Sequence, residues 1–140
     1  MTESTVDAAE AAKNYKIAAD KGNGSAQANL ADLYRLGLGV EKNGDMAFQL
    51  AQKAAKQNFG NGWNVLGLLY RDGLGVRQDS KEALEHFKKA VAPDVSWPTA
   101  IAYANIASMY YRGVGLQVNF DEAAKWAEAG VRAGNPDSML

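Results

Sequence analysis

His86 is the only histidine in the chain, and cysteine is absent. These two facts already limit the chemistry. A catalytic triad needs a base held beside a nucleophile, and a metal site needs several strong ligands. One histidine without a thiol supplies neither, and His86 stands at a position where Leu50 and Trp126 stand elsewhere in the chain. A core or half-buried side chain is the expected role. Gly37-Leu38-Gly39 and its two copies have the spacing of a phosphate-cradling loop, but such loops follow a strand and open a helix. These glycines follow helical sequence and are expected to close it. Asp121-Glu122 and the pair Glu82 and Glu85 could be taken for paired carboxylates, yet they fall in first turns, where acids favour the helix dipole. No catalytic residue, cofactor or metal is therefore expected, and the chain is read as not an enzyme.

The elements that carry these residues come from one repeated phrase. Tyr34-Arg35-Leu36-Gly37-Leu38-Gly39-Val40 returns as Tyr70-Arg71-Asp72-Gly73-Leu74-Gly75-Val76 and as Tyr110-Tyr111-Arg112-Gly113-Val114-Gly115-Leu116. The first step is 36 residues and the second 40, the extra four falling around Pro93 to Thr99. Upstream sit Leu30-Ala31, Leu66-Gly67 and Ile106-Ala107; downstream sit Asn43, Asp79 and Asn119, then Ala47, Ala83 and Ala123. Apolar residues recur at helical spacing in each half, and no segment alternates as a strand would. Seven helices are predicted near 6–21, 25–36, 44–57, 61–72, 80–92, 98–112 and 120–133. Gly37, Gly73 and Gly113 suit left-handed C-caps, and Leu38, Leu74 and Val114 are expected to fold back onto the last turn. Asn43, Asp79 and Asn119 suit N-caps, the latter two with a glutamate three residues on, as in a capping box. Pro98 suits the first turn of the sixth helix. Tyr34, Tyr70 and Tyr110 are expected in the core.

The phrase resembles the Sel-1-like repeat, a relative of the tetratricopeptide repeat. The second copy carries it best, with Leu66-Gly67, Tyr70, Gly73-Leu74-Gly75-Val76, Asp79, Ala83 and Phe87. In the third copy Ala107, Leu116 and Gly130-Val131 depart from it. The resemblance implies an all-α fold, a right-handed α-solenoid of antiparallel helix pairs. One domain over 1–140 is expected, with a capping helix at 7–22, repeats at 24–59, 60–95 and 96–135, and the start of a further helix at 136–140. The family implies an adaptor or scaffold, often bacterial, that binds a protein or peptide partner. The alternative is an inhibitor or immunity-type protein that caps an effector enzyme.

In tetratricopeptide-like stacks the first helix of each pair lines a concave groove. On that analogy the partner-binding residues are Asn29, Asp32 and Arg35, then Asn64, Leu68 and Arg71, then Asn105, Ser108, Tyr111 and Arg112. Arg35, Arg71 and Arg112 would form a spaced ladder of cations for an acidic partner. Trp97, in the insertion, is read as a plug over helix ends. The 15 basic and 16 acidic residues argue against a polyanion binder, so no nucleic-acid partner is expected. No apolar run approaches the roughly 20 residues that span a bilayer, so no direct membrane insertion is expected. Met1 to Val6 lack an apolar signal core, which favours the cytoplasm, with the periplasm or secretion as the alternative had a signal been removed.

Overall fold

The computed structural model describes residues 3–134, and the expected helix start at 136–140 lies outside them. Seven helices follow one another: α1 (Glu3–Asp20), α2 (Gly24–Leu36), α3 (Gly44–Lys56), α4 (Gly60–Asp72), α5 (Ser80–Lys89), α6 (Ile101–Arg112) and α7 (Phe120–Gly134). Among the described residues there is no strand, only a single bridge between Phe59 and Trp97. The architecture is an all-α solenoid in which α2–α3, α4–α5 and α6–α7 are the helix pairs and α1 packs on α2.

The glycines end the first helix of each pair as the sequence implies. Gly37, Gly73 and Gly113 are left-handed, at φ 72°, 68° and 65°, and their amides donate to Leu33, Leu69 and Met109. Of the three residues expected to fold back, Leu74 packs on the core, while Leu38 and Val114 stay exposed. The N-caps also hold. Asn43 accepts from the Met46 amide, Asp79 from Lys81 and Glu82, and Asn119 from Glu122. The capping boxes are not reciprocal, because the amides of Asn43, Asp79 and Asn119 donate instead to the carbonyls of Tyr34, Tyr70 and Tyr110, each at 2.9 Å. That bond ties every interhelix loop back to the helix before it.

Three boundaries differ from expectation by three residues, the first being the start of α1, at Glu3 rather than 6. α5 stops at Lys89 as the amides tighten: Ala90 is shared between His86 and Phe87, then Val91 donates to Lys88 and Ala92 to Lys89. α6 begins at Ile101, and Pro98 lies ahead of it. The Trp97 carbonyl accepts from Gly60, and Thr99 donates to Ala90, so long-range bonds keep residues 97–99 out of the helix. Trp97 stacks on Phe59 at 4.3 Å and covers it, yet remains 58% exposed, so it is a plug on one face only.

The core forms two linked clusters. Leu30, Ala31, Ala47, Ala51, Leu66 and Leu69 belong to the first, and Leu68, Ala83, Phe87, Ile106 and Met109 to the second. The three repeated tyrosines are half-buried at its edge; the largest fully buried side chains are Phe87, Leu69 and Ile106. Phe87 fits because position 67 is glycine: a Cβ there would lie 2.5 Å from two of its ring carbons. The equivalent pairs are Ala31 with Ala51 and Ala107 with Ala127, so the second copy fills with a ring the space the first fills with methyls.

Candidate functional site

The first-type helices bring the expected residues to two hollows. Between α2, α4 and the start of α6 lies a trough of about 260 Å³, lined by Asn29, Asp32, Arg35, Asn64 and Leu68 together with Ala28, Asn61, Val65 and Ile101. A second hollow, of about 190 Å³, is lined by Arg71, Asn105, Ser108 and Arg112 with Asp72, Ser80, Met109 and Val114. Asn105 joins the two: its Nδ2 donates to Asn64 Oδ1 at 2.9 Å, across from one repeat to the next. Tyr111 is not in the trough. It lies beside Phe120, the two rings tilted at 54° with centroids 5.2 Å apart.

Depth within the trough differs from what the helical register implied. Asn64 and Leu68 are buried, 5% and 8% exposed, and form its floor rather than its rim. Asn64 is the informative residue. Among the described residues no buried side-chain nitrogen or oxygen lacks a hydrogen-bond partner. The Oδ1 of Asn64 is taken by Asn105; among the described residues its Nδ2 makes no bond and is not fully buried, in a residue that lines the trough. The other copies carry Ala28 and Ala104 at this position, and packing there asks only for a methyl group.

The arginines do not form a ladder of free cations. Arg35 Nε donates to Asp32 Oδ1 at 2.8 Å, and the arginine side chain is only 15% exposed. Arg71 forms a bidentate pair with Asp72, at 2.8 and 3.0 Å. Arg112 makes no ion pair among the described residues, but it falls one residue nearer its cap glycine than Arg35 or Arg71 does. Tyr111 takes their register position. With two of three charges answered internally, the trough is an amide-lined surface of low net charge.

Sequence reasoning missed Asn61 and Ile101, which stand one turn before Asn64 and Asn105 and were within reach of the same helical argument. Ile101 is 63% exposed at the trough's edge. Asp72 had no signal, because adjacent residues on a helix do not face each other.

Outside the trough, His86 is held as a structural side chain. Its Nδ1 donates to the Glu82 carbonyl at 2.7 Å, and its ring lies 4.9 Å from Tyr70 and 5.8 Å from Trp63. Burial first, then the Glu82 and Asp79 carboxylates, raise the Tyr70 phenol above its ordinary value near 10. Among the described residues no three His, Asp or Glu side chains gather as a metal-ligand set, and no helix is long and apolar enough to cross a membrane.

Comparison with known proteins agrees with this architecture. No curated protein matches the chain. Among solved structures it is similar to a Sel1 repeat protein from Oxalobacter formigenes, with 33% identity and a TM-score of 0.71, over 91% of this chain and 50% of that one. It is also similar to a protective antigen present in uropathogenic Escherichia coli strains that displays an SLR fold, with 31% identity and a TM-score of 0.71, over 90% of this chain and 26% of that one. The chain thus spans half or less of the length of these relatives. The Sel1 repeat model matches residues 3–23, 24–59, 64–92 and 100–135, and the chain belongs to the Sel1 repeat family.

Proposed function

We propose that this chain is a non-catalytic interaction module that holds a protein or peptide segment in the trough lined by α2, α4 and α6. Sel1 repeats typically mediate protein–protein contacts and are generally non-catalytic scaffolds. The observation that carries the reading is Asn64. A nearly buried amide stands where its repeat equivalents are alanine, is fixed by Asn105, and keeps, where it lines the trough, an Nδ2 that makes no bond among the described residues. Burying a polar group costs stability unless it is bonded. An amide retained at such a place supports a role toward a bound group.

The trough offers carboxamides from Asn29, Asn61 and Asn64 around an apolar floor of Val65 and Leu68, with Asn105 in the adjoining hollow. Carboxamides both donate and accept, which matches the peptide group of a partner's loop or extended segment. The Asp32–Arg35 and Arg71–Asp72 pairs keep the trough close to neutral, so an uncharged or mixed-charge segment fits better than an acidic one.

Site-specific photo-crosslinking tests this. A photoreactive residue at Asn61 or Ile101, both exposed at the trough, should capture the partner from the native source. The same residue at Gln52 or Lys53 on α3 should not. Capture from α3 with none from the trough would overturn the assignment.

A further inference from the structure

The hollow between α4 and α6 answers its cations differently from the trough beside it. Its charged lining residues are Arg71, Asp72 and Arg112, and two arginines against one aspartate leave one positive charge. The trough has only Asp32 and Arg35, which cancel. Arg71 and Asp72 satisfy each other at 2.8 and 3.0 Å. The remaining charge is Arg112, which makes no ion pair among the described residues. Repeat equivalence gives the reason. Asp32, the acid that holds Arg35, recurs in the third copy as Ser108. Ser108 stands one helical turn before Arg112 and offers a hydroxyl where the first copy offers a carboxylate.

Polar groups accompany that cation in the hollow. Ser80, only 7% exposed, brings a second hydroxyl. Its Oγ accepts from Gln78 Nε2 at 3.0 Å, so its hydrogen remains to donate. Asn105 spends Nδ2 on Asn64 and keeps Oδ1 as an acceptor. The walls come from α4, from Ser80 at the start of α5, and from α6 with the loop after it, so the hollow is a cleft between adjoining repeats. Its volume of about 190 Å³ falls below the roughly 300–1,000 Å³ of small-molecule pockets and suits a single side chain.

We propose that this hollow is a carboxylate subsite: a partner segment lying in the trough seats one aspartate or glutamate side chain against Arg112 and the Ser108 hydroxyl. The inference rests on the trough reading, because the Asn105–Asn64 bond joins the two hollows. A guanidinium meets a carboxylate with two parallel N–H donors. One unanswered positive charge balances one carboxylate, whereas a phosphate group brings about −1.5 to −2 at neutral pH and would leave charge uncompensated. Asn105 Oδ1 is the acceptor for the backbone N–H of the same partner residue. Since the trough itself is neutral, the preference for an acid is confined to one position of the segment.

A random-peptide library selected on the immobilised whole chain supplies the probe. Selected peptides should share one acidic position in an otherwise near-neutral segment. One such peptide is then made in three forms, with the carboxylate, its carboxamide or phosphoserine at that position, and titrated calorimetrically. The carboxamide form should bind the wild type roughly ten- to a hundredfold more weakly, as for loss of a charge-assisted hydrogen bond. The phosphoserine form should bind no tighter than the carboxylate. Against Arg112→Gln the carboxylate and carboxamide forms should bind alike. Ser108→Asp gives Arg112 the internal partner that Asp32 gives Arg35, and should abolish the preference too. Arg112 is exposed and Ser108 half-buried, so both variants should keep the native circular dichroism. Asn64→Ala, the residue of the other copies, should weaken every form. Peptides that depend on Asn64 without preferring an acid, or an acid preference that survives both α6 variants, would sink the subsite and leave the trough reading standing. A phosphoserine form that binds tighter would overturn the carboxylate assignment. Failure to select any peptide, or peptides indifferent to Asn64 and Arg112 alike, would overturn both readings.

Discussion

Replacing Gly67 with alanine changes one hydrogen for one methyl, yet its effect should reverse sign with the residue at position 87. In the native protein the added Cβ would sit 2.5 Å from Cδ1 and Cε1 of Phe87, a ring with no exposed surface and so no free direction of retreat. Overpacking of this kind costs about 1–3 kcal/mol. Alanine also gains about 1 kcal/mol over glycine within a helix. The single variant should therefore be destabilised by about 0–2 kcal/mol. Phe87→Ala alone opens the space and should cost about 3–5 kcal/mol. On that background the clash is gone, and Gly67→Ala should stabilise by about 1 kcal/mol. The double variant then has the Ala–Ala arrangement of Ala31 with Ala51. Urea melts of the four proteins, followed by circular dichroism, give the coupling directly. It should equal the clash, about 1–3 kcal/mol. If Gly67→Ala shifts stability by the same amount with phenylalanine or alanine at position 87, the account of complementary packing between copies is wrong.

Gly75→Ala should destabilise by more than about 2 kcal/mol, because left-handed strain adds to a collision with the Gly44 carbonyl. Gly22→Ala, at φ 90° with open space around it, should show the strain alone, about 1–2 kcal/mol, in the same denaturant assay. Stability should fall as pH rises above about 10 and should fall less in Tyr70→Phe. Between the ordinary value and the raised folded value the unfolded chain has lost its phenolic proton while the native chain holds it, so the native state binds more protons and loses stability with rising pH. Thermal melts of the two proteins across that range measure the difference, and parallel curves would deny the shift. Once a partner is in hand, calorimetric titration should show Arg112→Ala weakening binding more than Arg35→Ala, because Asp32 already satisfies Arg35.

The helices and their caps were legible because their determinants are local. A cap glycine, a cap asparagine and the apolar spacing between them act within a few residues of where they stand. Errors arose where a distant partner decided. Pro98 favours a helix start, yet Gly60 and Ala90 hold its neighbours out of the helix. The tyrosines have the spacing of core residues, yet Phe87 and Ile106 take the centre and leave the phenols at its edge. The trough residues were identified by register, which fixes the face of a helix but not the depth at which a side chain ends. Register also does not say which acid an arginine will choose. Asp32, three residues before Arg35, had readable spacing; Asp72, beside Arg71, did not.

Repetition supplies an internal comparison for function. Where the copies agree, as at Gly37, Gly73 and Gly113, one structural demand recurs and the residue is explained by it. Where they differ at a position of equal structural demand, something other than the fold has chosen the residue. Position 64 is asparagine against alanine in the other two copies, and it is the buried amide of the trough. Position 120 is phenylalanine against alanine, glycine and serine in the preceding layers, and its ring is exposed beside an alanine-lined hollow. The Asn64 amide ties α4 to α6 through Asn105, which a methyl group at this position could not do. Those departures lie on different surfaces, one on the face lined by the first-type helices and one beside α7.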